Sequence, residues 1–355
     1  MKKIITILTM AAVATICCNA QDARTWRQGR LTWDDIPSVG APLEDSISFK
    51  VSAVMQKTVK AVKANRTTYK YTDVEAILDK PSSWVYKKGV TTDDLKRAQG
   101  IFDMVEYNAR GMRDSLLSSE ADPKDIEWEY MKRINKFLRE YGPDTDLSKY
   151  ALEADDFDIT KTRLEFSPTA FAFHASAIAT APFGALAKLT TPAIGVELGA
   201  DVDWGRKGAL MFDASAAYGK FIADYADLSG IGKTGTLIPV YRASLKYACA
   251  VLKTRDLALS LFAGPEYIFR QFRSSQQPVI NLSGIQLSEG ICADFRIWGA
   301  YSLWKQHPAS TDTFVRVRLS CDEFWNTRTQ TISPAATLSI GFGFKTRKIT
   351  KAYAD

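Results

Sequence analysis

Histidine and cysteine are scarce, because the 355 residues include two histidines and five cysteines. Residues 21–155 contain neither type, which excludes a metal site with imidazole or thiolate ligands from that part of the chain. Beyond the N-terminal leader described below, the cysteines are Cys249, Cys292 and Cys321. An odd number of scattered cysteines disfavours a disulfide framework, so we interpret them as small apolar residues of strands.

Long apolar runs and a strong charge imbalance are also missing. The net charge is +6 and the mean hydropathy is −0.15. No basic helix or zinc-finger spacing occurs, which disfavours nucleic acid as a partner. After residue 20, no apolar run approaches the roughly 20 residues that a membrane-spanning helix needs. Any segment that crosses a membrane must therefore be a strand.

The first twenty residues have the form of a secretory signal peptide. Lys2 and Lys3 precede an apolar run that ends at Cys18-Asn19-Ala20, a small-residue cleavage site before Gln21. Ile16 precedes Cys17 where a lipoprotein would carry a small residue, so we do not expect lipidation. We predict residues 1–20 to be the leader of an envelope protein of a Gram-negative cell.

Residues 21–160 are predicted to form an α+β domain. The segments "SISFKVSAVMQ" and "RTTYKYTDVEAIL" are typical of strands, and two amphipathic helices follow them. Thr91 or Thr92 can cap the first helix, and the second follows Pro123. The buried stripe of the first helix is predicted to be Leu95, Ala98, Phe102, Val105, Ala109, Met112 and Leu116.

The period changes to two after about residue 165 and stays there. In "AIGVELGADVDWGRKGALMFDASAAYG", Ile194, Val196 and Leu198 alternate with Glu197 and Gly199. Similar alternation marks eight segments, near residues 171–173, 194–204, 210–219, 241–251, 257–270, 291–301, 315–322 and 338–344. The pattern predicts an antiparallel eight-stranded β-barrel over residues 161–347, with a C-terminal tail at 348–355.

A soluble barrel would turn its apolar face inward, and a membrane barrel would turn that face to lipid. Three features favour a transmembrane barrel. Glycines recur on the polar faces, as a cramped interior requires. Aromatic residues lie near strand ends, as in interfacial girdles. Tight connections such as "GRKG" and "KTRD" alternate with long ones at 220–236, 270–284 and 323–335, although 305–312 is long for a periplasmic turn.

An unpaired charge facing hydrocarbon is costly, so the charges of these strands are predicted to face inward. An eight-stranded lumen is only wide enough for side chains, which favours paired charges over an open pore. We expect the pairing to be structural and not catalytic, because buried charges need partners. The predicted lumenal charge network is Glu197, Asp201, Asp203, Asp213, Arg242, Lys246, Glu266, Arg270, Asp294, Arg296, Arg316, Arg318 and Asp322.

The two histidines suggest little chemistry. His174 and Ser176 share one face of the first predicted strand, and the pair resembles the His-x-Ser of outer-membrane lipid A deacylases. In that family the pair lies near the end of the barrel, so we interpret it here as a chance pairing on a weak strand. His307, in "KQHPAS", has no evident partner.

Residues 29–145 resemble a bacterial secreted zinc-protease-like domain. The resemblance lies in Leu31-Thr32-Trp33-Asp34-Asp35-Ile36, in Ser83-Trp84-Val85, and in the helix that follows. Family members open that helix with His-Glu-Gln-x-His-Phe-Asp, where the histidines bind zinc and the glutamate is the general base. Here Arg97, Ala98 and Ile101 occupy those three positions, so the resemblance implies a protease fold without its catalytic residues.

Other residues of this domain are assigned to structure. Asp103 and Glu106 remain one turn apart on the helix, and we interpret them as a solvated face. Trp33, Trp84, Phe102 and Tyr107 are predicted to be core residues.

Eight strands place both barrel termini at one end, which is the periplasmic end in outer-membrane barrels. The sequence thus predicts a non-enzymatic outer-membrane anchor or interaction protein with a periplasmic N-terminal domain. Its expected partners are outer-membrane lipid and an envelope protein, with no cofactor, metal or catalytic residue assigned. Two alternatives stay open, a barrel hydrolase acting on lipid or protein and a secreted soluble β-rich binding protein.

Overall fold

The computed structural model describes residues 24–41, 48–119, 121–142, 145–184, 186–205, 208–227, 230–232, 234–274, 277–304, 307–326 and 331–353. The predicted signal peptide at 1–20 lies outside these residues. None of the described helices has both the length and the apolar character that a membrane crossing requires.

The N-terminal unit, residues 24–160, combines a hairpin with two helices. Its strands are β1 (Phe49–Lys50), β2 (Ala53–Ala64), β3 (Thr67–Leu78) and β4 (Trp84–Val85), and its helices are α1 (Thr92–Ser118) and α2 (Pro123–Glu140). The hairpin of β2 and β3 turns at Asn65 and Arg66, whose φ angles are 46° and 59°.

Both helices begin at side-chain caps. The Thr91 side chain accepts the Asp94 amide, the Asp94 carboxylate accepts the Thr91 amide, and α2 begins at Asp122 followed by Pro123. The predicted helical stripe faces the hairpin, where Phe102 and Met104 pack with Ala76 and Val85. The core prediction is wrong for Tyr107, which is 52% exposed and stacks edge-on against Tyr150.

Eight strands close into a ring. They are β5 (Arg163–Pro182), β6 (Ala193–Asp203), β7 (Ala209–Lys220), β10 (Leu237–Lys253), β11 (Leu257–Ser274), β12 (Gln277–Ser302), β13 (Ala309–Asn326) and β14 (Thr331–Tyr353), while β8 (Tyr225–Asp227) and β9 (Gly230–Gly232) form a small hairpin between β7 and β10. Every pairing around the ring is antiparallel, and β14 returns to β5 through pairs such as Phe342 with Ala175. The fold is therefore a closed eight-stranded β-barrel.

Two segments that the sequence suggested as long loops are strand. Residues 270–274 and 277–284 continue the pairing of β11 with β12, and β13 pairs with β14 as far as Asn326 with Thr331. Alternation in these segments is weaker than in the body of the barrel, so the hydrophobic pattern alone did not reveal the backbone pairing.

The barrel sheet continues into the N-terminal unit. Strand β3 pairs in parallel with the end of β12, from Thr67 with Gly299 to Lys70 with Ser302. Residues 348–353, predicted as a tail, instead extend β14, and Ile349 and Ala352 are buried in a core with Tyr69 and Tyr71. This shared core holds the N-terminal unit at the barrel end that carries both termini.

The alternation along the strands separates outside from inside. Ile194, Val196 and Leu198 are 68%, 63% and 65% exposed, whereas Glu197 between them is 6% exposed. Two of the predicted interior glycines show how tight the inner face is, because a Cβ at Gly195 would overlap the Ala216 carbonyl oxygen and one at Gly341 that of Ala175. The apolar faces point outward and the charged faces inward.

Candidate functional site: the lumenal charge network

The barrel interior collects the charged residues that alternate along its strands. Ten members of the predicted network are at most 9% exposed, and Arg270, Asp294 and Arg296 are partly buried on the same inner surface. They form three layers along the barrel axis, which we call the distal, central and proximal layers, the proximal layer lying next to the N-terminal unit. The ten are Glu197, Asp201, Asp203, Asp213, Arg242, Lys246, Glu266, Arg316, Arg318 and Asp322.

The central layer is built on Arg318 and Arg316 of β13. Arg318 contacts Glu197 of β6 through Nη2, and its Nη1 donates to Asp213 Oδ2 of β7 at 2.8 Å. Lys246 of β10 lies 3.6 Å from the same Asp213 oxygen and 3.2 Å from Glu266 Oε2. Because β13 lies opposite β6 and β7 in the ring, these contacts cross the lumen and fill it with side chains.

Arg316 uses all three guanidinium nitrogens. Nη2 lies 2.7 Å from Asp201 Oδ2, Nε donates to Asp294 Oδ1 at 2.7 Å, and Nη1 donates to His174 Nδ1 at 3.0 Å. Since an arginine can only donate, a hydrogen bond here would use the lone pair of His174 Nδ1. Nε2 lies 3.4 Å from Asp213 Oδ1 and 3.7 Å from Glu197 Oε1 without a hydrogen bond to either, so the ring lies between the two arginine clusters.

The distal layer mixes charge with hydroxyl and amide groups. Arg242 donates to Thr180 Oγ1 at 2.9 Å and lies 3.4 Å from Asp322 Oδ2. Asp322 also accepts from Ser288 at 2.7 Å, and Glu266 accepts from Gln286 at 2.5 Å. These uncharged partners, Thr180, Gln286 and Ser288, were not predicted from the sequence, although their inward positions in the alternating pattern could have identified them.

The proximal layer contains partners that the sequence analysis also missed. Asp203 accepts from Lys253 at 3.1 Å and from Lys345 at 2.9 Å. Arg296 Nε donates to Asp312 Oδ1 at 2.6 Å. Lys253, Asp312 and Lys345 lie at or beyond the strand ends recognised in the sequence, where the alternation no longer indicated a direction.

His174, Asp201 and Asp213 offer ligand atoms within 4.8 Å of one another, an arrangement that could hold a metal ion. Each carboxylate already contacts a guanidinium, however, at 2.7 Å for Asp201 and 2.8 Å for Asp213. A divalent cation there would meet two positive charges in a medium that screens them poorly. The donor set therefore suits the arginines better than a metal, and we assign none.

His174 and Ser176 both face the lumen on β5, a strand of twenty residues and not a weak one. Each is 5% exposed, and Ser176 Oγ has no hydrogen-bond partner among the described residues. The His174 ring already lies against Arg316, Asp213 and Glu197, as described above. A nucleophile needs a base within hydrogen-bond reach, and among the described residues Ser176 Oγ has none.

Positions 97, 98 and 101 of α1 are where the zinc-protease-like motif has its two histidines and its glutamate. In this chain they hold residues that pack or form hydrogen bonds within the N-terminal unit. Ala98 and Ile101 are buried at 0% and 7% exposure, while Arg97 donates to the Gly142 carbonyl at 3.1 Å. The interpretation of a solvated face is wrong for Glu106, which is fully buried and accepts the Ala76 amide at 2.8 Å. Burial raises the pKa of Glu106, although the Ala76 amide and Arg110 partly offset it.

A second buried cluster joins the N-terminal unit to the segment leading into the barrel. Asp73 of β3 contacts Arg27 at 2.6 Å and Lys60 at 2.5 Å, and Arg113 of α1 contacts Asp155 at 2.8 Å. Burial opposes ionisation of both carboxyls, but their cationic partners outweigh it. The pKa of Asp73 is therefore lowered by Arg27 and Lys60, and that of Asp155 by Arg113 and Arg27.

Several solved structures similar to this chain are outer-membrane β-barrels. Ail of Yersinia pestis, in complex with the heparin analogue sucrose octasulfate, is 10% identical over 50% of this chain and 97% of Ail, with a TM-score of 0.31. OprG of Pseudomonas aeruginosa is 10% identical over 51% of this chain and 96% of OprG, with a TM-score of 0.32. The outer membrane protease OmpT of Escherichia coli is 8% identical over 53% of this chain and 99% of OmpT, with a TM-score of 0.24.

These TM-scores are too low to carry conclusions about this chain, and the barrel is established by its own strand register. No protein-family model matches the sequence, and no curated protein matches it. The resemblance of residues 29–145 to a zinc-protease-like domain therefore stays a prediction.

Arg318→Met should lower the free energy of unfolding by about 3–5 kcal/mol, because it leaves Glu197 and Asp213 buried without their guanidinium. Adding Glu197→Gln should restore part of the loss, since the uncompensated carboxylate is then gone. Urea unfolding in detergent measures both effects. Lys348→Met, on an exposed position of β14, is the control. A loss for Arg318→Met no larger than the control's would contradict a stabilising role for the central layer.

The Asp73 and Asp155 carboxyls should make the N-terminal unit sensitive to acid. Their folded pKa values lie below the ordinary value of about 3.9, so the folded state binds fewer protons than the unfolded state. Their stabilisation is fully present above about pH 4 and is lost as the pH falls through the folded pKa values. Asp155→Asn should lower stability at pH 7 and flatten this acid dependence, measured by tryptophan fluorescence, whereas exposed Asp156→Asn should change neither. An unchanged acid profile in Asp155→Asn would show that the cluster does not control it.

Proposed function

We propose that this protein is a non-enzymatic outer-membrane anchor, whose barrel spans the membrane and whose N-terminal unit lies in the periplasm. The observation that carries the proposal is the combination of an exposed apolar outer surface with a buried, charge-paired lumen. We call that outer surface the apolar belt. It includes Phe173, Ile194, Val196, Leu198, Phe212, Leu245, Leu261, Ile291, Leu319, Leu338, Ile340 and Phe342, each at least 42% exposed.

An apolar belt around a closed barrel is a poor surface for water. Monomeric soluble proteins rarely expose contiguous apolar patches larger than a few hundred Å². In hydrocarbon the same side chains are solvated by acyl chains, and the closed ring pairs the backbone groups that lipid cannot satisfy. A secreted soluble barrel would need its apolar faces inside and its charged faces outside. The observed orientation is the opposite, which supports a barrel that spans a membrane.

The membrane orientation follows from the connections between strands. Short connections join β6 to β7 and β10 to β11 at the end that carries both barrel termini. The opposite end carries the hairpin extensions of β11 with β12 and of β13 with β14. Outer-membrane barrels place short turns in the periplasm and long connections outside. The N-terminal unit would then lie on the periplasmic side.

The anchor role is supported by the junction between the two parts. The Arg255 guanidinium donates to the Asn65 carbonyl at 3.3 Å, and that of Arg296 donates to Thr67 Oγ1 at 3.0 Å. Together with the β3–β12 pairing, these contacts hold the hairpin tip against the barrel mouth. A unit held this way has a defined position below the membrane, which suits presentation to a partner.

The absence of enzymatic activity is part of the proposal. Arg97, Ala98 and Ile101 stand where the resemblance places catalytic residues, and the His174 ring is engaged by three charged neighbours. An envelope protein is the partner class we propose for the N-terminal unit. Trp128 of α2 supports it, because this side chain is 74% exposed and large exposed aromatics are enriched in interfaces.

Leu198→Arg should impair membrane insertion, because an arginine facing lipid near the bilayer midplane costs about 2–4 kcal/mol. The folded fraction after dilution into lipid vesicles should fall and its urea midpoint should drop. Val59→Arg is the matched control, since Val59 is 59% exposed but lies on β2 of the N-terminal unit. Equal behaviour of Leu198→Arg and wild type, or release of the native protein from cells without detergent, would refute the membrane role.

The partner proposal is tested by site-specific photocrosslinking in living cells. A photoreactive residue at position 128 should give a crosslinked adduct with an envelope protein. The same residue at position 133, which is exposed on a different face of the same helix, should give a different yield or none. Crosslinks of equal intensity at both positions, or none at either, would count against a partner bound through Trp128.

A further inference from the structure

A cavity of 210 Å³ lies where the barrel meets the N-terminal unit. Its walls come from the β10–β11 turn and from the proximal ends of β12, β13 and β14. The cavity shares lining residues with the proximal layer and touches the central layer at Asp294, and no ligand has been assigned to it above. A volume of this size exceeds the roughly 30 Å³ share of one water molecule several times over, so it can hold a small solute group with its hydration.

The lining of this cavity is predominantly positive. Five cationic and three acidic side chains line it, which leaves an excess of two positive charges. The cations are Lys253, Arg255, Arg296, Lys345 and Arg347, and the acids are Asp256, Asp294 and Asp312.

Two of the three acids are already neutralised. Asp294 accepts from Arg316 at 2.7 and 2.9 Å, and Asp312 accepts from Arg296 at 2.6 Å. Lys253 and Lys345 share a single carboxylate, that of Asp203, which lies just outside this cavity. Counting Asp203 with the three lining acids still leaves five cations against four acids, an excess of one positive charge.

Two guanidinium nitrogens in this lining have no protein acceptor. Arg296 Nη1 and Arg347 Nε are buried and have no hydrogen-bond partner among the described residues. Buried donors without acceptors are costly, and guanidinium donors match the oxygens of phosphate especially well. A lining with more cations than acids, which includes two arginines with unpaired guanidinium nitrogens, has the chemistry that an anionic ligand complements.

We propose that the cavity binds a phosphate group, with Arg347, Arg296, Lys345 and Lys253 as its cationic contacts. A phosphate monoester or inorganic phosphate carries between one and two negative charges near neutral pH, which matches the excess of the lining. The source is either a soluble periplasmic phosphate compound or the headgroup of a membrane lipid. The question of whether the phosphate comes from a lipid or a soluble compound rests on the proposed membrane placement. The binding of phosphate itself does not, since the cavity has the same lining in detergent.

The test is isothermal titration calorimetry, which measures the affinity of the full-length protein for phosphate in a phosphate-free buffer with a maltoside detergent. Inorganic phosphate should bind saturably to the wild type. Arg347→Met should weaken binding about tenfold or more, because it removes a charge-assisted donor from the site. Lys348→Met removes the neighbouring exposed charge and should leave the affinity unchanged. Circular dichroism of each variant checks that the barrel is folded.

A second variant keeps the test decisive if Arg347→Met does not fold. Lys345→Met retains one lysine on Asp203 and should also weaken phosphate binding several-fold. A short-chain phosphatidic acid, compared with the matching diacylglycerol in the same micelles, distinguishes the sources, because tighter binding of the lipid phosphate identifies a headgroup site. The proposal would be overturned if the folded wild type showed no saturable phosphate binding. It would also be overturned if the folded Arg347→Met and Lys345→Met variants bound phosphate with the wild-type affinity. Failure here would leave the apolar belt and its insertion test unaffected.

Discussion

The structure depends on charge neutralisation inside a narrow barrel. Arg316 and Arg318 project from β13 into a lumen from which water is largely excluded, and each must find carboxylates on the facing strands. Isolated charges in such a medium are strongly unfavourable, whereas hydrogen-bonded pairs are tolerated. The arginine layer thus links opposite walls of the ring and makes the interior a packed core of polar residues.

This constraint explains why the outer surface can be so apolar. In a soluble protein the hydrophobic side chains would form the core and the charges would face water. Here the charges satisfy one another, which leaves Ile194, Val196 and Leu198 free to face an apolar medium. The same arrangement places the His174 ring between the Arg316 guanidinium and the carboxylates of Asp213 and Glu197.

The junction with the N-terminal unit is where the two kinds of interior meet. Above it the barrel is filled by ion pairs, and below it Phe102, Met104 and Val85 form a conventional hydrophobic core. Between them, the apolar cluster that contains Tyr69 of the N-terminal unit and Ile349 of β14 joins the two parts. The cationic cavity lies at this transition, where strand ends bring together charges that neither interior fully pairs.

The alternation of residue types determined the number of barrel strands and the side to which each side chain points, because successive side chains of a strand point to opposite faces of the sheet. It also marked α1, whose apolar stripe follows the helical period. Sequence could not show which arginine meets which acid, because the strand pattern gives each residue's face but not its partner. Some pairs are close in the chain, as Arg316 and Asp294 are, and others join distant strands, as Arg318 and Glu197 do. It likewise mistook Glu106 for a solvated residue and Tyr107 for a core residue. Only the tertiary structure decided these points, because burial at a helix face and pairing across a lumen depend on what the rest of the chain places opposite.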